Sequence, residues 1–162
     1  MSARYYLTPM GRVRLEQRAA AAREAYMKVC ADNPDALESG DTSGWHDNFA
    51  FEENLRQMHQ LARRVRELEE ILQFAEVVPP HPSPDRAYIG TRVCWRYADE
   101  EQERVALIAG YDDGDADRGR LSYNSPLGRC IVGAEPGESR EFWNNGTRRE
   151  IEIVTVEPFA EA

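Results

Sequence analysis

The chain has 162 residues with 29 acidic against 20 basic side chains, a formal net charge of -9, room for one domain or two small ones. That balance argues against a protein that coats duplex nucleic acid by neutralising phosphates, while leaving room for a local basic face. No run of about 18 apolar residues occurs and Met1 to Tyr6 lacks an apolar signal core, so a cytoplasmic protein with no membrane segment is expected.

In chain order, Thr8 offers an oxygen to the orphan amides of a first helical turn, and Pro9 sits where a missing N–H costs nothing, so a helix begins there. Val13, Ala19, Ala22, Tyr26, Val29 and Cys30 form a loose apolar stripe along it, and Asn33-Pro34 ends or kinks this arm. The polar segment Gly40 to Asn48 makes a turn that carries Asp41 and Asp47. On the returning arm Phe51, Leu55, Met58, Ala62, Val65, Leu68, Leu72 and Ala75 recur in steps of three and four. From Asn48 to Val77 this arm is about 30 residues, a reach of about 45 Å, and its seam calls for another helix. The pattern predicts an antiparallel coiled-coil hairpin over residues 1–77 with an acidic tip near 40–48. A coiled coil serving only as a spacer or dimer arm has the same pattern.

The run Val77-Val78-Pro79-Pro80-His81-Pro82-Ser83-Pro84 cannot continue a helix, which places a stiff linker at 78–86 and a second domain at 87–162. Five β-type runs follow, Ile89 to Tyr97, Arg104 to Ala109, Gly119 to Tyr123, Arg140 to Trp143 and Glu150 to Val156, separated by turn signals. Asn145-Gly146 is a hairpin turn, since both positions tolerate positive φ. Ser125 caps and Pro126 opens one short helix around Pro126 to Val132. The expected class is α+β: a helical hairpin, then a small antiparallel sheet with a helix on one face.

Cys30, Cys94 and Cys130 are odd in number and widely spread, which favours free thiols, and neither they nor His46, His59 and His81 have metal-site spacing. No glycine-rich phosphate loop or nucleophile setting is present, so no stand-alone enzyme is expected.

Tyr6-Leu7-Thr8-Pro9-Met10-Gly11, Gly40-Asp41 with Asp47-Asn48, Gly90-Thr91-Arg92-Val93, Ile108-Ala109-Gly110, Leu121 to Gly128 and Gly133-Ala134-Glu135-Pro136-Gly137 stand in a recognisable order. Together they resemble the Gre-type bacterial transcript cleavage factors over nearly the whole length. The resemblance implies an N-terminal coiled coil and a C-terminal domain of the fold shared with FKBP-type prolyl isomerases. It also implies a partner, bacterial RNA polymerase, whose secondary channel the hairpin enters, and contact with the nascent RNA 3′ end.

On that resemblance Asp41 and Asp47 are the candidate catalytic residues. One would bind a transient Mg2+ shared with the polymerase, and the other would orient or deprotonate water, since two-metal phosphodiester hydrolysis needs a second ion about 4 Å from the first. No cofactor bound to the chain alone is expected, and the protein is expected to be a monomer. The family's tip carries an Asp and a Glu two residues apart, followed by Asn, whereas five residues separate Asp41 from Asp47 here. Asp47 also suits the N-cap of the returning helix. Asn124, Ser125, Pro126 and Leu127 match the family's polymerase-gripping loop. Arg12, Arg14, Arg18, Arg56 and Arg63 are candidates for an RNA-facing basic patch, with a solvated face of i, i+4 pairs such as Arg63 with Glu67 and Arg66 with Glu70 as the plainer reading. Two rivals are a non-cleaving inhibitor or modulator occupying the same channel, and a prolyl isomerase, which needs an aromatic-lined cavity that Trp95, Tyr97, Tyr111 and Phe142 do not assemble by sequence alone.

Overall fold

The structure, a computed structural model, describes residues 5–32 and 48–161. The expected tip acids Asp41 and Asp47 lie outside the described residues. The elements in order are β1 (Tyr5–Leu7), α1 (Pro9–Ala31), α2 (Asn48–Phe74), β2 (Ala75–Val77), β3 (Thr91–Tyr97), β4 (Glu103–Ala109), β5 (Arg120–Ser122), α3 (Pro126–Ile131), β6 (Ser139–Asn144) and β7 (Thr147–Pro158).

They form two compact units, one of Arg14–Gln73 and one of Met1–Val13 with Phe74–Ala162. This differs from a division at residue 77. Tyr5, Tyr6 and Leu7 pair in parallel with Ala75, Glu76 and Val77, and the Val78 amide continues the contact by donating to Leu7 O at 2.8 Å. The returning helix therefore stops at Phe74 rather than Val77. Two valines followed by Pro79 and Pro80 favour extended backbone there, and the N-terminal strand supplies the partner.

In the helical unit, α2 is strongly amphipathic and α1 hardly so. Leu68 and Ile71 of α2 are buried, as are Leu15 and Ala19 of α1. Leu55, Met58, Ala62, Val65 and Leu72 are half-buried, while Phe51, the first residue of the expected seam, is exposed. Arg23 of α1 reaches Glu69 of α2 with an Nη2 to Oε1 distance of 2.5 Å.

The second unit carries a five-stranded sheet in the order β5-β4-β3-β7-β6. Most pairs are antiparallel as expected, but β4 and β5 run parallel, with Leu107 opposite Arg120 and Ala109 opposite Ser122. The residues between them turn back through a 3-10 turn at Ala116–Arg118, so β5 sets off in the direction of β4. The bulge between Cys94 and Trp95 shifts the β3 register against β7. Asn145 (φ 49°) and Gly146 (φ 80°) make the β6–β7 hairpin turn.

One face of the sheet buries Val93, Trp95, Ala106, Ile108, Phe142, Ile151 and Ile153 with Ile131 of α3. The alternation along the strands decides this, because successive side chains point to opposite faces. Arg140 of β6 fastens α3: its Nη1 donates to Cys130 O at 3.0 Å and Val132 O at 2.9 Å, and its Nε to Glu138 Oε1 at 2.8 Å. Carbonyls at a helix C-terminus otherwise lack partners.

Replacing that guanidinium strands the carbonyls it serves, so Arg140→Ala should lower unfolding free energy by about 1.5–3 kcal/mol in urea denaturation. The same ion pair holds the Glu138 carboxyl below its ordinary value of 4.5, with the Glu135 amide adding to the effect. A depressed folded-state carboxylate stabilises above its unfolded pKa, so this contribution should fade as pH falls below 4.5, and the Arg140→Ala variant should show a shallower acid limb.

Candidate functional site

The segment from Ser122 to Gly128 is built by its own hydrogen bonds. Ser125, extended at φ -69° and ψ 158°, caps α3 by accepting the Gly128 amide on its Oγ at 3.0 Å, and its hydroxyl donates to Ser122 O at 2.7 Å. Pro126 takes the first helical position, as the sequence predicts. Ser122, buried, donates to Gly110 O at 2.7 Å and lies against Asn124 Oδ1, which accepts the Asp112 amide at 3.1 Å. Pro126 is exposed, and Asn124, Ser125 and Leu127 are half-exposed. The loop thus offers a partly polar surface several of whose backbone groups are already paired.

Gly128 makes this turn possible. A Cβ built there would lie 2.0 Å from Ser122 O, closer than any side-chain carbon can approach.

Four tyrosines flank the loop, a feature that scattered aromatic positions in the sequence do not announce. Tyr5 meets Tyr111 edge-on at 4.6 Å, Tyr6 meets Tyr123 at 6.2 Å, and Tyr111 meets Tyr123 at 6.4 Å. The Tyr6 amide donates to the Tyr123 hydroxyl at 3.3 Å. Burial pushes the Tyr123 phenol above its ordinary value of 10.0, and the Tyr6 amide opposes that shift. On the neighbouring turn Arg120 donates through Nη2 to Asp115 Oδ2 at 3.3 Å and through Nε to Asp113 O at 3.3 Å.

Among the expected basic residues, Arg12, Arg14 and Arg18 are half-exposed and each is engaged in interactions of its own. Arg56 pairs with Glu53 at 3.0 Å, while Arg63 is exposed. The expected i, i+4 pairing of Arg63 with Glu67 is replaced by an i, i+3 pairing of Arg64 with Glu67 at 3.7 Å. The aromatic residues considered for an isomerase cavity do not line one together: Trp95 and Phe142 are buried in the core, Tyr97 packs against that core with Arg149 4.0 Å over its ring, and Tyr111 belongs to the tyrosine cluster. Among the described residues no three His, Cys, Asp or Glu side chains group as a metal site, and no helix is long and apolar enough to cross a membrane.

Two outcomes follow from this geometry. Gly128→Ala should cost about 1–3 kcal/mol and Ser125→Ala about 1 kcal/mol in urea denaturation, the first by overlap with Ser122 O and the second by loss of the cap. Because the folded chain keeps the Tyr123 proton after the unfolded chain has released it, the associated stability is complete below pH 10.0 and lost above it. Tyr123→Phe should flatten that alkaline loss in thermal melts taken across the same range.

Comparison with known proteins bears on this loop directly, because the family described as "Transcription elongation factor, GreA/GreB, C-term" matches residues 81–158, which contain it. Transcription elongation factor GreA of Ruegeria pomeroyi is 28% identical over 155 residues, spanning 93% of this chain and 96% of its own. GreB of Neisseria meningitidis is 30% identical over 161 residues, spanning 94% of this chain and 93% of its own. Among solved structures, Thermus aquaticus Gfh1 is similar with a TM-score of 0.43 at 17% identity, covering 96% of this chain and 99% of that one. The 30% identity over nearly the full length, together with the matched segment 81–158, shows that the chain belongs to the GreA/GreB family of transcription elongation factors.

Proposed function

We propose that this protein binds bacterial RNA polymerase through the loop Asn124 to Leu127, enters its secondary channel with an antiparallel coiled-coil hairpin, and stimulates cleavage of backtracked RNA. The observation that carries the reading is the prebuilt loop within the family-matched segment. A loop pinned by the Asp112 amide on Asn124 and the Gly128 amide on Ser125 loses little conformational freedom when a partner docks on it. The globular unit, in this reading, is the FKBP-like docking domain, and the chain acts as a monomer that supplies no complete active site of its own.

Asp41 and Asp47 carry the chemistry. Carboxylate oxygens are the hard donors that Mg2+ prefers, and the ion keeps several waters, so one added carboxylate would recruit it transiently to a site whose other ligands belong to the polymerase. A metal held there would polarise the scissile phosphate and make water nucleophilic at neutral pH. One aspartate holds the ion, and the other orients or deprotonates the attacking water. Arg12, Arg14, Arg18, Arg56 and Arg63 face the extruded RNA end, where phosphates replace the weak carboxylate pairing of exposed arginines.

The test is a stalled, backtracked polymerase with end-labelled RNA and magnesium. The parent chain should accelerate release of short 3′ fragments. Asp41→Ala and Asp47→Ala should each reduce that acceleration about 100-fold while still binding polymerase, and Pro126→Ala should weaken binding instead. Tip variants that cleave like the parent sink the catalytic assignment. The five-residue spacing between Asp41 and Asp47 favours a second reading, a non-cleaving modulator of the same channel, which predicts binding with slowed nucleotide addition and no fragment release.

A further inference from the structure

Residues 122–128 are anchored on their C-terminal side by the Ser125 cap, but their N-terminal side has no helix to lean on. It is held by β5 on β4, where the Tyr123 amide donates to Ala109 O at 3.1 Å, and by a closed ring of contacts on the β1 side. The Tyr123 hydroxyl accepts the Tyr6 amide at 3.3 Å, and Tyr6 O accepts the Tyr111 amide at 2.8 Å. The next amide along the chain, that of Asp112, donates to Asn124 Oδ1 at 3.1 Å, and Asn124 is the neighbour of Tyr123. Each link is a hydrogen bond or a peptide bond. Asp112 sits at φ 51°, a left-handed conformation that a non-glycine residue adopts only where its surroundings impose it.

The tyrosine rings give the ring of bonds its stiffness. Tyr123 packs on Tyr6 at 67° and on Tyr111 at 56°, so its hydroxyl cannot swing away from β1 without disturbing both partners. The Tyr6 amide is partly buried, and removal of its acceptor leaves it seeking another. Any shift of Tyr6 moves Tyr111 through the 2.8 Å bond, and with it the Asp112 amide that orients Asn124.

Resting on the docking reading of this loop, we propose that Tyr123 is its positioning residue: by gripping the N-terminal strand through Tyr6, it holds Asn124 on the Asp112 amide and presents Asn124 to Leu127 in the orientation that polymerase binds. Tyr123 does not itself supply the contact surface. Its role is to register the loop against β1.

The experiment compares the full chain with its Tyr123→Phe variant, which keeps the ring and its packing and loses only the hydroxyl. The first readout is the factor concentration giving half-maximal cleavage of backtracked complexes, together with the rate at saturation. The second is amide hydrogen exchange at Asp112, far along the ring from the deleted atom. The variant should need about three to ten times more protein for half-maximal effect, the equilibrium equivalent of one net hydrogen bond, with the same rate at saturation and faster Asp112 exchange. A variant that has lost a bond of merely structural value melts earlier yet leaves half-saturation and Asp112 exchange at parental values, and that result overturns the proposal. If the parent itself fails to bind polymerase, the docking reading falls. Asp112 exchange then decides positioning alone: acceleration in Tyr123→Phe keeps it, and no change removes it.

Discussion

The backbone of the N-terminal strand lies against Gly110 so closely that a Cβ there would stand 2.8 Å from Leu7 Cα and 2.9 Å from Tyr6 O. Much of the second unit follows from that approach. It lets Tyr6 O reach the Tyr111 amide and Leu7 O reach the Val78 amide, and it leaves Leu7 only 1% exposed. With Leu7 fixed, Thr8 is in place to accept the Gly11 amide at 2.9 Å and start α1. Closing a loop of about 100 residues costs about 7 RT, roughly 4 kcal/mol, because the entropy grows with the logarithm of length, and backbone bonds together with one buried leucine offset a cost of that size.

A second close approach, of Gly128 to Ser122 O, shapes the Asn124 to Leu127 loop in the same way. The two glycines work on either side of Ser122, whose hydroxyl donates to Gly110 O and whose carbonyl accepts the Ser125 hydroxyl. Ser122 is therefore the junction between the strand that carries β1 and the turn that opens α3. A loop built this way is rigid before any partner arrives. The proposed tip carboxylates operate on the opposite principle, since they acquire a function only when another protein supplies the remaining metal ligands.

The arginines of the helical unit illustrate why charge alone decides little. Arg23 and Glu69 remain 59% and 42% exposed in their ion pair, and Arg56 with Glu53 is similarly open to solvent. Exposed pairs are worth about 0–1 kcal/mol, so such arginines exchange a carboxylate for a phosphate at small cost. An RNA-facing role and a solvated, paired face are thus compatible for the same side chains. The net charge of -9 does not oppose this, because screening within about 10 Å separates a local patch from the chain's overall balance.

Local chemistry was readable from residue order. The Thr8-Pro9 helix start, the Ser125-Pro126 cap and first turn and the Asn145-Gly146 hairpin each depend on neighbours within a few positions, and the structure bears them out. The family resemblance, spread over several short motifs, was legible for the same reason. Three features were not: the β1 to β2 pairing, the parallel setting of β5 on β4, and the cluster of Tyr5, Tyr6, Tyr111 and Tyr123 around the loop. Tyr5-Tyr6-Leu7 is too short to show a period, and its partners stand about 70 and 100 residues away, beyond the reach of any local pattern. Propensity and capping act through adjacent atoms, and so they are written in the order of residues. Which strand lies against Gly110, and which phenol meets the Tyr6 amide, depends on distant segments meeting at a distance where no Cβ fits, and that is settled only when the whole chain has folded.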